Sequence, residues 1–205
     1  MTGAQLKILA LTAMTLDHVG AVLLPQVRLL RMVGRLAMPI YCFLLGEGLR
    51  HTRSLPRYLG RLLALALLSE WPFDLAFSSG VNWGYQNVFF TLVLGLTALA
   101  LVRTGRRGAW IGAAGLAMLA HSLHTDYGWY GVVLTLLLGS RADRTITAAG
   151  MALLTLSAFG FSIQLWALAA LPLLWSYHGE QGRRLGFWTY LYFPAHLLLL
   201  GGLAI

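Results

Sequence analysis

The chain is a series of long apolar stretches separated by short polar segments. A helix needs about 20 apolar residues to cross a hydrocarbon core about 30 Å thick. Only 11% of the 205 residues are charged, whereas a soluble domain carries about a quarter. The sequence therefore predicts an all-α, polytopic transmembrane helix bundle of about nine spans, with residues 1–205 as a single domain. We expect the spans at about residues 6–25, 29–50, 56–77, 85–102, 109–122, 127–140, 144–159, 161–177 and 185–204.

Positive charge accumulates between every second pair of predicted spans. The chain has 15 Lys and Arg residues against 7 Asp and Glu residues, a net charge of +8. Because the positive-inside rule places such loops in the cytoplasm, the N-terminus is predicted to be cytoplasmic. Nucleic-acid binding is excluded, since nucleic-acid binders collect their cations on one solvated face. The cations of these loops are Arg50, Arg53, Arg57, Arg103, Arg106, Arg107, Arg141, Arg144, Arg183 and Arg184.

Polar side chains from several spans are predicted to lie at one depth in the outer half of the bilayer. At about 1.5 Å per helical residue, His18 lies about 10 Å inside the outer boundary. Ionisable groups within a membrane are costly and usually functional. The sequence therefore predicts one shared polar site inside the bilayer. Its other members are Arg35, Glu70, Asp74, Asn87, Thr91, Asp126 and Tyr127.

Three cations are predicted to lie on the outer side of the membrane, where the positive-inside rule does not expect them. Their position therefore needs a separate explanation. Arg31 and Arg35 are four residues apart and share a helix face, with Arg28 in line. Gly34 beside them lets a neighbouring helix come close. Arg35 is predicted to pair with a carboxylate from the third span. The candidates are Glu70 and Asp74, four residues apart on one face.

Histidine is the side chain best suited to proton transfer near neutral pH, which makes His18 the candidate base. The adjacent Asp17 leaves the helix about 100° away, so we expect it to bond to a neighbouring helix. His196 in the last span is open between a structural role and a role in the site. No pair of histidines has the spacing of a metal-ligand set, so no metal is predicted.

A second charged group lies at the predicted cytoplasmic edge. Glu47 ends the second span, and Arg50, Arg53, Arg57 and Arg61 follow at spacings of three and four residues. The guanidinium fork suits phosphate, so this group is a candidate site for an anionic cofactor. The same residues are equally well interpreted as topology anchors, which every polytopic protein has.

Several segments occur in one order along the chain. They are residues 7–18 (KILALTAMTLDH), 34–52 (GRLAMPIYCFLLGEGLRHT), 58–73, 87–91 (NVFFT), 126–132 (DYGWYGV) and 192–197 (YFPAHL). Taken together, this ordered set resembles the TraX family, named for the F-type conjugal pilin acetylase. The resemblance covers nearly the whole chain. Met38 and Tyr41 stand where phenylalanine-like residues are expected, a departure that affects packing more than chemistry.

The resemblance implies a multi-pass acetyltransferase of the bacterial inner membrane that uses acetyl-CoA. The acceptor is then an amine, such as the N-terminus of pilin or another membrane peptide, or the hydroxyl of a glycan. His18 resembles in placement the intramembrane histidine of polytopic acyltransferases and would be the general base. The basic group at the cytoplasmic edge would hold the phosphates of acetyl-CoA.

The remaining roles are assigned to the other members of the predicted site. Arg35, Asn87 or Thr91 would donate hydrogen bonds to the oxyanion. Glu70 or Asp74 would orient His18 or Arg35, and Asp17 belongs to the catalytic group. The substrate side of the site is completed by Asp126, Tyr127 and His196.

Two other functions use the same kinds of residue. A small proton-coupled transporter also needs intramembrane carboxylates and histidines, although the absence of a visible repeat counts against it. A non-catalytic assembly partner for a membrane peptide needs no proton transfer at all.

Overall fold

The structure is a computed structural model that describes residues 1–78, 80–140, 142–183, 185–186 and 188–204. Regular structure within these residues is helical, which confirms the predicted all-α class. One isolated bridge joins Gln86 and Thr125. The α-helices are α1 Gly3–Val22, α2 Arg28–Gly34, α3 Ala37–His51, α4 Leu55–Phe77, α5 Val88–Arg103, α6 Ala109–Ser122, α7 Gly128–Gly139, α8 Arg144–Phe159, α9 Leu171–Trp175 and α10 Trp188–Ala204, and a 3-10 helix covers Ile163–Ala170.

Two segments that were predicted as single helices are divided by proline. Residues 29–50 contain α2 and α3, which are separated at 35–36. Pro39 lacks the N–H that would bond the carbonyl of Arg35, and its ring disfavours the α-helix there, in agreement with the break at 35–36. Pro172 acts in the same way on the carbonyl of Leu168, and residues 163–170 form the 3-10 helix that precedes α9. Pro72, predicted to kink its helix, lies inside α4.

One helical stretch among the described residues, Arg28–His51, is long and apolar enough to cross a membrane by length and composition. The other apolar helical segments, with 10–17 residues each, are Val88–Arg103, Ala109–Ser122, Gly128–Gly139, Arg144–Phe159 and Ile163–Trp175. The nine-span topology therefore stays a prediction, and so does its orientation. Two of the loop cations on which the orientation depends, Arg141 and Arg184, lie outside the described residues.

The chain divides into two compact units, and the prediction of a single domain stays a prediction. The first unit is Met1–Tyr41, Trp71–Val81 and Thr155–Ile205; the second is Cys42–Glu70 and Asn82–Leu154. In the first unit α1 packs against α2 and α10, and α2 packs against the 3-10 helix. In the second unit α5, α6 and α7 pack against one another.

Small residues let the helices of the second unit approach closely. The buried core between α5, α6 and α7 includes Ala98, Ala113, Ala117 and Ala120. A methyl group at Gly95 would lie 2.7 Å from Oγ1 of Thr135, which is too close for a side chain. Such small residues are typical of helix interfaces in membranes, where backbones come together without large side chains between them.

Candidate functional site

Two histidines from opposite ends of the chain meet in the first unit. Nδ1 of His18, on α1, lies 2.7 Å from Nε2 of His196, on α10. Their rings are parallel to within 3°, with centroids 5.0 Å apart. Both residues were predicted as site residues, but their pairing was not. The packing of α1 against α10 brings them together.

The hydrogen bonds of the pair assign its tautomers. Nδ1 of His196 lies 2.9 Å from the carbonyl oxygen of Tyr192. A carbonyl only accepts, so this Nδ1 carries the hydrogen, and Nε2 of the neutral ring is an acceptor. Nδ1 of His18 then donates to His196. The assignment leaves the lone pair on Nε2 of His18, which is the atom that would accept a proton.

Aromatic side chains hold the two imidazole rings. His18 makes T-shaped contacts with Phe77 and Phe193, with ring centroids 5.5 and 5.8 Å away. The ring of Tyr192 stacks on His196 at 5.2 Å. These contacts belong to the geometries that aromatic groups prefer. They restrict rotation of both rings and so keep Nδ1 of His18 within hydrogen-bonding distance of Nε2 of His196.

An open groove adjoins the pair on the same unit. The hydroxyl of Tyr192 lies 2.7 Å from Oγ1 of Thr15, and both residues line the groove. Its volume is about 290 Å³. Tyr192 therefore both lines the groove and stacks on His196. The lining residues are Ile8, Leu11, Thr12, Thr15, Leu16 and Tyr192.

Asp17, next to His18, binds two arginines. Its Oδ2 accepts a hydrogen bond from Nη1 of Arg31 at 2.9 Å, and its Oδ1 pairs with Nη2 of Arg35. Asp17 and Arg35 are both buried, with 9% of each exposed. This agrees with the expectation that Asp17 bonds to a neighbouring helix. A methyl group at Gly34 would overlap Asp17, so the glycine permits the close approach that the pair needs.

The guanidinium of Arg35 is held on further sides. Nε donates to the carbonyl of Arg31 at 3.3 Å, and Nη1 donates to Oε1 of Gln164 at 3.1 Å. Gln164 lies on the 3-10 helix and is 4% exposed. Gln164 was not among the predicted site residues. A single amide in the otherwise apolar segment 163–175 was the available signal, because polar groups in apolar spans are rarely without a purpose.

The predicted carboxylate partners of Arg35 are found on α4. Asp74 is buried within the first unit, and Glu70 belongs to the second unit. Asp17 is the carboxylate that pairs with Arg35, and it had not been proposed for that role. A further pairing of Arg35 with Glu70 or Asp74 stays a prediction.

In the second unit, Asn87 connects α4 to the start of α5. Its Oδ1 accepts from the N–H of Phe89 at 3.0 Å and caps the helix. Its Nδ2 donates to the carbonyl of Ala66 at 2.8 Å and to Oε2 of Glu70. Asn87 is completely buried. Its amide, which was predicted to donate to an oxyanion, thus holds two helices together.

Thr91 and Asp126 belong to a second polar contact of this unit. The hydroxyl of Thr91 lies 2.8 Å from Oγ1 of Thr125 and also bonds the carbonyl of Asp126. The carboxylate of Asp126 accepts from the hydroxyl of Tyr85 at 2.9 Å. Tyr127 follows with a positive φ of 65° at the start of α7. These contacts fix the turn before α7 against α5.

The predicted site residues therefore form two groups in two units. His18, His196, Asp17 and Arg35 are brought together in the first unit. Glu70, Asn87, Thr91 and Asp126 lie in the second, where they serve local contacts. The meeting of the two groups at one point stays a prediction.

The basic group also divides into bound and exposed members. Glu47 is 2% exposed and pairs with Arg50. Nη2 of Arg50 donates to the carbonyl of Gly139 at 2.6 Å, and Nη2 of Arg103 donates to the same oxygen at 2.9 Å. Cations at helix carboxyl ends satisfy the last carbonyls and oppose the helix dipole. The exposed members are Arg53, Arg57 and Arg61.

Known sequences are similar to this chain over nearly its whole length. Residues 2–204 match the family described as TraX protein. The probable fimbrial assembly protein FimC, serogroup H1, of Dichelobacter nodosus is 36% identical over 227 residues, which cover 96% of this chain and 93% of that protein. The uncharacterized protein RP591 of Rickettsia prowazekii (strain Madrid E) is 51% identical over 41 residues, 20% of this chain and 16% of that protein. No solved structure is significantly similar.

Proposed function

Because this chain belongs to the TraX family, we propose that it is an integral membrane acetyltransferase of pilus or fimbria assembly. It moves an acetyl group from cytoplasmic acetyl-CoA to an acceptor amine, such as the N-terminus of a pilin or another membrane peptide. A glycan hydroxyl is the other acceptor chemistry that the same site accommodates. The full-length similarity to a probable fimbrial assembly protein supports the pilin acceptor.

The observation that carries the proposal is the pairing of the partly buried His18 with the buried His196, next to Asp17 and the two arginines that it binds. As the acceptor nitrogen attacks the thioester carbonyl, Nε2 of His18 takes the proton that the nitrogen loses. The new C–N bond forms, the C–S bond breaks, and the CoA sulfur leaves as a thiolate that takes this proton back from His18, which restores the neutral imidazole. His196, bonded to the other nitrogen of His18, shares the charge of the resulting imidazolium.

Arg31, Arg35 and Asp17 carry a net charge of +1 next to this pair, as two cations are opposed by one carboxylate. Preorganised positive groups stabilise the negative oxygen that develops in acyl transfer. Arg35 is the one of the three predicted oxyanion donors that belongs to the same unit as His18. Asn87 and Thr91, the other two, belong to the second unit, and a role for them as oxyanion donors stays a prediction.

The phosphates of acetyl-CoA fit the exposed arginines of the basic group. Arg57 and Arg61 are one turn apart on α4 and Arg53 precedes the helix, so their forks are available to an anion. Arg50, the remaining arginine of the group, is bound to Glu47 and to the carbonyl of Gly139. Acetyl-CoA supplies the activated acetyl group, and the chain supplies its position and the base.

The direct test measures transfer of labelled acetyl from acetyl-CoA to a synthetic membrane peptide with a free N-terminal amine. The full-length protein in lipid vesicles is compared with His18→Ala and with His121→Ala. His121 is an exposed histidine at the end of α6 and controls for loss of an imidazole as such. We expect His18→Ala to lose 10²- to 10⁴-fold in rate and His121→Ala to retain it. Full activity in His18→Ala would overturn the assigned role of this residue.

A non-catalytic role is the second candidate, and the similarity to a probable fimbrial assembly protein favours it. Such a protein would hold a membrane peptide without modifying it. Mass spectrometry of peptides that co-purify with the chain separates the two. An acetylated N-terminus supports the enzyme, and a bound peptide whose terminus stays a free amine supports the assembly role.

A further inference from the structure

The side-chain amide of Gln164 contains a buried donor with an unusual environment. Gln164 is 96% buried, as 4% of its surface is exposed. Its Nε2 makes no hydrogen bond with any residue that the structure describes. Buried polar groups are normally hydrogen-bonded, and each exception requires an explanation such as a catalytic role.

The orientation of this amide is set by Arg35. A guanidinium has only donors, so the amide must turn its oxygen to Nη1 of Arg35, and Oε1 lies there at 3.1 Å. The NH₂ group, on the other side of the same amide plane, therefore points away from Arg35. The hydrogen bond thus both locks the side chain and aims its donor.

Arg35 itself is occupied by its supports. It bonds the carboxylate of Asp17, the carbonyl of Arg31 and the amide of Gln164. These contacts spread over three of its nitrogens and fix the plane of the guanidinium. Arg35 is therefore better placed to hold and polarise Gln164 than to turn toward a substrate.

The amide belongs to the same unit as the candidate base. Asp17 directly precedes His18 in α1, and its carboxylate binds both Arg31 and Arg35. A chain of contacts thus runs from Gln164 through Arg35 and Asp17 to the residue beside the base. The donor and the base are thus linked through Arg35 and Asp17.

We propose that Nε2 of Gln164 donates a hydrogen bond to the carbonyl oxygen of the acetyl thioester as this oxygen becomes negative, with Arg35 as the positioning residue. The inference deepens the proposed acetyl transfer and rests on it. As the acceptor nitrogen adds to the carbonyl carbon, electrons of the C=O bond move to this oxygen. They return when the C–S bond breaks, and His18 holds the proton meanwhile.

The first experiment replaces the amide by a side chain of similar length without hydrogen-bonding groups, Gln164→Met. The control is Gln26→Met, which makes the same change in an exposed loop. Removing one oxyanion donor typically costs 10²- to 10³-fold in kcat. We expect this loss in Gln164→Met with the KM for acetyl-CoA little changed, and full kcat in Gln26→Met. An Arg35→Lys variant should lower kcat in the same direction, since a lysine cannot hold the amide plane.

The second experiment uses the wild-type protein and therefore does not depend on how the variant folds. The five glutamines of the chain are labelled with ¹⁵N, and the side-chain signal of Gln164 is observed by NMR. The probe is an analogue of acetyl-CoA whose thioester sulfur is replaced by oxygen, with CoA alone as the control. We expect the analogue to shift the Gln164 NH₂ signal and CoA alone to leave it in place.

The outcomes separate the two proposals. If the wild type transfers acetyl, while Gln164→Met keeps full kcat and the analogue leaves the Gln164 signal unmoved, the inference is overturned and the proposed function stands. If the wild type transfers no acetyl to the amine or hydroxyl acceptors, the proposed function is overturned, and this inference falls with it.

Discussion

Nδ1 of His18 lies 2.7 Å from Nε2 of His196, although 178 positions separate the two residues in the chain. The hydrogen of this contact lies between two imidazoles, and a carbonyl fixes the far side of one of them. Such an arrangement orients one ring by means of the other. When Nε2 of His18 gains a proton, the positive charge is shared with His196 through the hydrogen bond.

The first prediction concerns His196. Replacement by alanine removes the acceptor that orients His18, so we expect the acetyl-transfer rate to fall, by less than the 10²- to 10⁴-fold expected for loss of the base itself. The measurement is the rate across a range of pH. A structural role alone would lower the amount of folded protein but leave the shape of the pH profile unchanged, and that result would contradict the prediction.

The second prediction concerns the buried ion pair of Asp17 and Arg35. Asp17→Asn leaves a buried guanidinium without its carboxylate, and breaking a buried pair typically costs about 3–5 kcal/mol. We expect a correspondingly lower unfolding temperature in detergent. The double variant Asp17→Asn with Arg35→Gln should lose less than the sum of the single losses. Simple additivity would show that the two side chains do not depend on each other.

The third prediction uses two glycines as a matched pair. A methyl group at Gly34 would overlap Asp17, whereas one at Gly60 meets nothing within 4 Å. Gly34→Ala should therefore destabilise the protein and lower activity, because Asp17 must move. Gly60→Ala in α4 should stabilise it by about 0.5–1 kcal/mol, since alanine is the better helix former. The measurement is the unfolding temperature of both variants. An equal change in the two temperatures would contradict the prediction.

The fourth prediction concerns Asn87. Alanine at this position loses the cap of α5 and the bonds to Ala66 and Glu70, so we expect the free energy of unfolding to fall by about 1–2 kcal/mol. Asn82→Ala, in the preceding exposed loop, is the control and should cost less. Denaturant unfolding gives both values. A large fall in kcat with stability unchanged would instead identify Asn87 as a donor to the substrate.

The fifth prediction concerns the exposed arginines. Arg57→Ala should raise the KM for acetyl-CoA with kcat unchanged, by roughly fivefold if the lost contact is worth about 1 kcal/mol. The effect should shrink at high salt, which screens exposed charges. Arg107→Ala removes an exposed arginine from another loop and should leave KM as it is. An equal rise in both variants would point to general charge rather than to a site.

The helices were largely predictable from local patterns. The bounds of α6 and α8 match the predicted segments 109–122 and 144–159, and every predicted segment contains a helix. Runs of apolar residues between polar segments suffice for this. The break at 35–36 and the 3-10 helix at 163–170 were not predicted, although Pro39 and Pro172 indicated a disturbed α-helix. Each proline acts four residues upstream of its own position, where the sequence itself looks continuous.

The partners within the site were much less predictable. Asp17 was expected to bond to another helix, but its choice of Arg31 and Arg35 was not foreseen, and Gln164 was not considered. Residues were instead grouped by their predicted depth in the bilayer, and this grouping assigns His18 and Asn87 to one site. In the structure these two residues belong to different units, and Asn87 serves its own helix start.

The sequence by itself determined the helical class, the order of the segments and the family, because these depend on runs of residues and on ordered motifs along the chain. Only the tertiary structure decided that His18 meets His196 and that Arg35 is held between Asp17 and Gln164. The physical reason is that neither α1 nor α10 has one distinctly apolar face, so their periodicity marks no buried face. Which side chains meet is then set by how closely the backbones approach, as Gly34 allows beside Asp17.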